Sequence, residues 1–155
     1  MSILSRLFVG EQKQPELVCW SPETKGHRCD ESGKQLIHGD IILDLSIPNF
    51  DQDETWVYVV VSNTGRKALG FGAPGIGLVL LEGSKQTILN CKELQTGSLR
   101  ERRNHQSLVV DGGQRHFEFV AIFDAAQKSQ KAEVVIQVNR ILASAYLFKV
   151  PFDCN

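Results

Sequence analysis

Apolar and polar residues alternate along "GDIILDLSIPNF", placing Ile41, Leu43, Leu45 and Ile47 on one face and Asp44 and Ser46 on the other. That two-residue period predicts a half-buried β-strand, ended by Pro48 and Asn49. In "TWVYVVVSNTG" both faces are apolar, with Trp56, Tyr58 and Val60 on one and Val57, Val59 and Val61 on the other. The reading is a central strand covered on both sides, closed by a turn at Asn63-Thr64-Gly65. Before these, "PELVCW" (15–20) predicts a first strand, and "SPETKGHRCDESGKQ" (21–35) a polar loop. After them, "KALGF", "GIGLVLLEG" and "QTILNC" predict further strands, and "KELQTGSLRERRNHQ" a long basic loop. "SLVVDGGQRHFEFVAIF" predicts two strands joined in a hairpin at Asp111-Gly112-Gly113. "AEVVIQVN" and "ASAYLFKVPF" complete the set, the latter with Tyr146, Phe148, Val150 and Phe152 on one face and Pro151 marking an edge or strand end. About eight to ten short strands, with no long 3.6-period window, predict an all-β sandwich. The expected organisation is an N-terminal extension over 1–14, helical or flexible, and a single β-sandwich domain over 15–155.

Two of these stretches carry a resemblance. The Val-rich strand ending at Asn63-Thr64-Gly65 and returning as "GIGLVLLEG" is similar to a hairpin of bacterial immunoglobulin-like β-sandwich domains. The spacing of Leu108, Gly112 and Phe117 resembles a later hairpin of the same group. The resemblance spans residues 38–152 and implies an antiparallel immunoglobulin-like sandwich, with no activity attached. The Cys…Trp…Cys arrangement of antibody-type domains is absent.

Composition narrows the classes of function. With 155 residues, 42% hydrophobic and 23% charged, the chain has the make-up of an ordinary globular protein with a real core. Its net charge of −1 points to neither nucleic acid nor an anionic membrane. No apolar run reaches the ~20 residues of a membrane span, and the start lacks the pattern of a secretory signal. The expected location is therefore cytoplasmic, with Cys19, Cys29, Cys91 and Cys154 as reduced, mostly buried thiols. Two disulfides are the alternative, and the sequence does not choose among their pairings. Ile3, Leu4, Leu7 and Phe8 share one helical face. They pack on their own domain or dock the chain peripherally to a membrane or partner.

The letters Gly70-x-Gly72-x-x-Gly75, followed by Gly77, match a dinucleotide fingerprint, but that motif must open a helix whose amides hold the pyrophosphate. Strand-like residues follow here, and Pro74 removes an amide donor. The glycines read instead as a connection between strands whose backbone is open to a partner. Arg100, Arg102, Arg103 and His105, with Arg115 and His116 beyond them, form a basic loop. It is either solvated or suited to an anionic group on a partner. No aromatic residue falls within the run, which disfavours single-stranded nucleic acid. Cys19, His27 and Cys29 lack zinc half-site spacing, and Asp51, Asp53 and Glu54 lack a full calcium set. No catalytic motif positions His105 or His116 against Ser107, Asp111 or Cys91. The expectation is a non-catalytic protein-binding or adaptor module without cofactor or metal. It would use the basic loop, the glycine connection or an edge strand, and the edge could also serve homo-oligomerisation. The alternatives are an accessory component of a membrane or secretion assembly docked by its N-terminus, and a small hydrolase with a His base.

Overall fold

A computed structural model describes residues 15–20, 33–97, 100–141 and 143–154. Among them the chain is all-β, with thirteen strands and no α-helix, and no helix is long and apolar enough to cross a membrane. In chain order the strands are β1 (Glu16–Cys19), β2 (Lys34–His38), β3 (Ile41–Leu45), β4 (Asn49–Phe50), β5 (Glu54–Asn63), β6 (Leu69–Gly72) and β7 (Ile76–Glu82). Then follow β8 (Lys85–Thr96), β9 (Arg103–His105), β10 (Ser107–Val110), β11 (Phe117–Asp124), β12 (Lys131–Arg140) and β13 (Ala145–Asp153). They form one curled mixed sheet in the order β1-β13-β12-β7-β8-β11-β5-β3-β2, with β6 beside β12, β10 beside β6, β9 beside β8 and β4 beside β5.

The two-residue period accounts for most of these elements. Along β5 the inward residues Thr55, Val57, Val59, Val61 and Asn63 are buried, and along β12 Ala132, Val134, Ile136 and Val138. The apolar members of both sets belong to one core with Phe71, Phe119, Phe123 and Phe148. Each buried Val, Ile or Phe side chain contributes about 1.5–3 kcal/mol through removal from water. The sheet thus has a β12 half and a β5 half, lining one interior. β8 belongs to both: Lys85–Asn90 pairs with β7, whereas the stretch from Cys91 pairs with β11. A β-bulge makes the change, because Cys91 faces Phe123 and Glu93 faces Ile122, leaving Lys92 unpaired with β11. Inward positions therefore shift from Leu89 and Cys91 to Leu94. At the far ends of the strand order, β2 reaches β13 by side chains. Lys34 Nζ lies 4.6 Å from the Trp20 ring centre and 5.3 Å from that of Phe152, and the His38 and Tyr146 rings are 4.9 Å apart.

Several sequence expectations need correction. The sheet has more strands than eight to ten, and β1 pairs parallel with β13, so it is not purely antiparallel. Neither expected hairpin forms: β5 pairs with β3 and β11, not β6, and β10 pairs with β6, not β11. Both turns are crossovers between the two halves. "KELQTGSLRERRNHQ" is not one loop, since it holds the second part of β8 and all of β9. β5 is central but not covered on both sides, because Trp56, Tyr58 and Val60 are only half-buried. The N-terminal docking residues Ile3, Leu4, Leu7 and Phe8 lie outside the described residues.

The two crossovers are tied together by Asn63, which is only 1% exposed. Its side-chain amide donates to the carbonyls of Lys67 (2.8 Å), Val110 (3.2 Å) and Asp111 (3.1 Å), and its carbonyl oxygen accepts from Gly65 N (3.1 Å). Gly113 N donates to Gly65 O at 2.9 Å, and Asn63 N to Gln114 O at 2.8 Å. The approach is close enough that a Cβ on Gly112 would sit 2.2 Å from Arg66 O. A buried acceptor left without its donor costs about 1–3 kcal/mol. Asn63→Ala is therefore expected to lose about 3 kcal/mol in urea unfolding, and Asn63→Asp, which turns an oxygen toward those carbonyls, at least as much. A loss below about 1 kcal/mol for both would show that the crossovers do not depend on this amide.

Candidate functional site

The outward side chains of β5, β11 and β8 are set by register. Trp56 stands opposite Ile122, which faces Glu93; in the next row Tyr58 stands opposite Val120, which faces Gln95. Ile122 is 2% exposed yet lies apart from the core cluster, so it is buried from the outer side. Trp56, Tyr58, Val120 and Ile122 form the largely apolar part of a cleft of about 300 Å³. Glu54, Gln95, Thr96 and Gly97 complete its wall, with Arg102 entering from the segment before β9. β9 holds that segment in place by pairing Arg103, Asn104 and His105 with Thr96, Gln95 and Leu94.

The polar groups around the cleft differ in their commitments. Gln95 Nε2 donates to Glu93 Oε1 at 3.3 Å, and Thr96 Oγ1 and His105 Nε2 are 2.8 Å apart. Arg102 makes no ion pair or hydrogen bond among the described residues, so its guanidinium is available. Tyr58 is bonded to Glu118, whose Oε1 lies 2.9 Å from His116 Nε2. Burial, with the hydrogen bond and charge of Glu118, pushes the Tyr58 phenol up to about 12. The hydrogen bonds from Tyr58 and His116 hold the Glu118 carboxyl below the usual range. Both shifts favour the arrangement in which the Tyr58 phenol donates to the Glu118 carboxylate. Beside the bulge, Lys92 Nζ and Asp124 Oδ1 are 3.3 Å apart.

The sequence-derived site residues are scattered by the fold. Of the basic group, Arg102 lines the cleft, Arg103 and His105 belong to β9, and Arg100 is exposed in a turn. The glycine group is not an open connection. Gly70 and Gly72 pair within β6, Gly77 pairs on both sides within β7, and Gly75 ends the 3₁₀ turn Ala73–Gly75. A Cβ on Gly75 would lie 3.1 Å from Gln137 Cβ, so what the backbone closely approaches there is β12. His105 and His116 have separate partners, Thr96 and Glu118. Glu54 lines the cleft, while Asp51 and Asp53 are exposed in the turn before β5. Among the described residues no group of His, Cys, Asp and Glu is placed to hold a metal ion. His27 and Cys29 lie outside them. Among the described residues Cys91 and Cys154 are buried thiols outside any disulfide, and burial pushes Cys91 up to about 11. The aromatic floor is not evident from the sequence, because a strand apolar on both faces reads as buried at Trp56 and Tyr58 as well. The signal available was their type: both carry a polar tip, unlike the valines of the opposite face.

No protein-family model and no curated protein matches the chain.

The Tyr58–Glu118 contact has a direct readout. A raised folded-state pKa favours the protonated phenol, so its contribution to stability is present below the ordinary value of 10.0 and is lost as pH rises through about 12. The near-ultraviolet absorbance step removed by Tyr58→Phe is expected at about pH 12. Glu118→Gln should lower that midpoint without returning it to 10.0, because burial is the larger cause. No change with Glu118→Gln would mean the carboxylate does not act on the phenol.

Proposed function

We propose that the chain is a non-catalytic protein-binding module that receives a partner's side chains in the cleft on the outer face of β5, β11 and β8. The observation that carries this reading is an outward Trp56–Tyr58 floor, on paired strands, beside an uncommitted Arg102. Trp, Tyr and Arg are the residue types on which binding energy concentrates at protein interfaces. A cleft of about 300 Å³ is at the small end of ligand pockets, suited to one or two side chains of a larger partner. Glu54, Glu93 and Glu118 on the same face disfavour a polyanion such as nucleic acid. The basic segment then acts through one arginine at the cleft wall.

Two coarser features belong with this reading. Two sheet halves facing one core support a β-sandwich, while the parallel β1–β13 pair departs from an immunoglobulin-like antiparallel pattern. The unbridged thiols of Cys91 and Cys154 are compatible with a reducing compartment such as the cytoplasm.

The test compares variants in affinity capture from the source cell, followed by titration of the captured protein. Trp56→Ala and Arg102→Glu should each weaken binding at least about tenfold, or about 1.4 kcal/mol, with circular dichroism unchanged. Val109→Ser, at an exposed position on β10 in the other half, should bind as the native chain does. If both cleft variants bind undiminished, the cleft is not the contact surface.

A further inference from the structure

We infer that two copies of the chain join edge to edge through the first part of β8, extending the sheet across a two-fold axis at Thr87. Lys85–Asn90 pairs with β7 on one side, and no strand among the described residues pairs with its other side. The ladder to β11 ends at Phe123–Cys91, which closes that edge beyond Asn90. Among the described residues the backbone of Lys85–Leu89 is left open on that side. Lys85, Gln86, Thr87 and Ile88 are all exposed, Ile88 by 63%, the most among the exposed large hydrophobic residues. The β7–β8 turn presents this edge without bending it away. Glu82 pairs with Lys85 across Gly83-Ser84, and Gly83 has φ 61°, as a tight primed turn requires.

Natural sheets protect an open edge by shortness, charge, proline or cover. Elsewhere this chain does so: β9 is three residues long with Arg103, β10 is four residues long, and β2 lies under the Lys34–Trp20–Phe152 contact. The stretch "KQTIL" has one charge, at its end, no proline and no bulge before Lys92. A bare edge with Thr87 and Ile88 at its centre favours strand addition.

The occupant is identified by self-complementarity. In an antiparallel ladder, directly opposite residues present their backbone groups in the same sense, so a two-fold pairing sets one residue opposite its own copy. Centred on Thr87, the pairing uses only the open stretch. Thr87 meets Thr87 of the second copy, a favourable cross-strand pair, Gln86 covers Ile88, and Lys85 meets Leu89, so no like charges face each other. Such an isologous contact closes after two copies and leaves the outer-face cleft of each copy free.

The test uses the full chain. Sedimentation velocity should show a reversible dimer in the native protein. Ile88→Lys should raise its dissociation constant at least tenfold, with circular dichroism unchanged. Thr87→Cys, the position facing itself, should form a disulfide-linked dimer under mild oxidation faster than Gln86→Cys, Ile88→Cys or the native chain with its own cysteines. A native protein that stays monomeric at millimolar concentration overturns the inference. So does a dimer indifferent to Ile88→Lys, or cross-linking at Thr87→Cys no faster than at its neighbours.

Discussion

One buried amide stands at the point where the chain twice passes between the halves of the sheet. Asn63 ends β5, and its side chain bonds the carbonyls of Lys67 on the outgoing crossover and of Val110 and Asp111 on the returning one. A leucine there would fill space but leave three carbonyls short of a donor, and an aspartate would oppose them with its own oxygens. Only a side chain with two N–H donors and an acceptor serves both strands' ends. Around it Thr64 N donates to Asp40 O, and Asp40 pairs with Arg140 at the end of β12. This end of the molecule is thus held by polar bonds, while the interior is apolar.

The second constraint is the bulge at Lys92. Without it β8 would keep odd-numbered residues inward and Leu94 would face solvent. With it, Leu94 is fully buried and the strand turns from β7 to β11. The bulge thereby sets Gln95 and Thr96 beside Val120, supplies the pairing edge for β9, and fixes where Arg102 meets Trp56 and Tyr58. Past the bulge the pairing of β11 with β8 runs on only to Cys91, and among the described residues the start of β8 is open on that side. The cleft and the open edge thus lie on the two parts of one strand, on either side of the inserted residue.

These two constraints also explain what the sequence could and could not reveal. The all-β character was readable because inward residues in β3, β5, β12 and β13 repeat every two positions. Turn signals at Asn63-Thr64-Gly65 and Asp111-Gly112-Gly113 correctly mark where the chain leaves a strand, but a turn signal does not name the next partner, and both lead across the interior. The bulge shifts the parity of β8, so its second part loses the alternation that identifies strands and reads as loop. For β5, hydrophobicity alone does not separate a buried valine from a half-exposed tryptophan. Arg102 was legible as one of a basic group, but its distinction from Arg100 and Arg103 comes only from pairing by β9. The glycines point the other way: their spacing suggests an open loop, yet Gly70, Gly72 and Gly77 are half-exposed positions within paired strands, Gly70 and Gly77 beside β12 and Gly72 beside β10.

The cleft gains its character from what surrounds it. Sheet pairing on both sides limits the movement of Trp56 and Tyr58, so little conformational entropy is left for a partner to remove. Tyr58 is further held by Glu118, which is itself engaged by His116. Gln95 and Thr96 are already bonded to Glu93 and His105. Arg102 and Glu54 therefore remain the charged groups at the wall with no side-chain partner among the described residues. A partner that fills the floor with an apolar group can satisfy the arginine with an acceptor and the carboxylate with a donor. That demand for both signs beside one apolar contact is the basis on which this surface would discriminate among proteins.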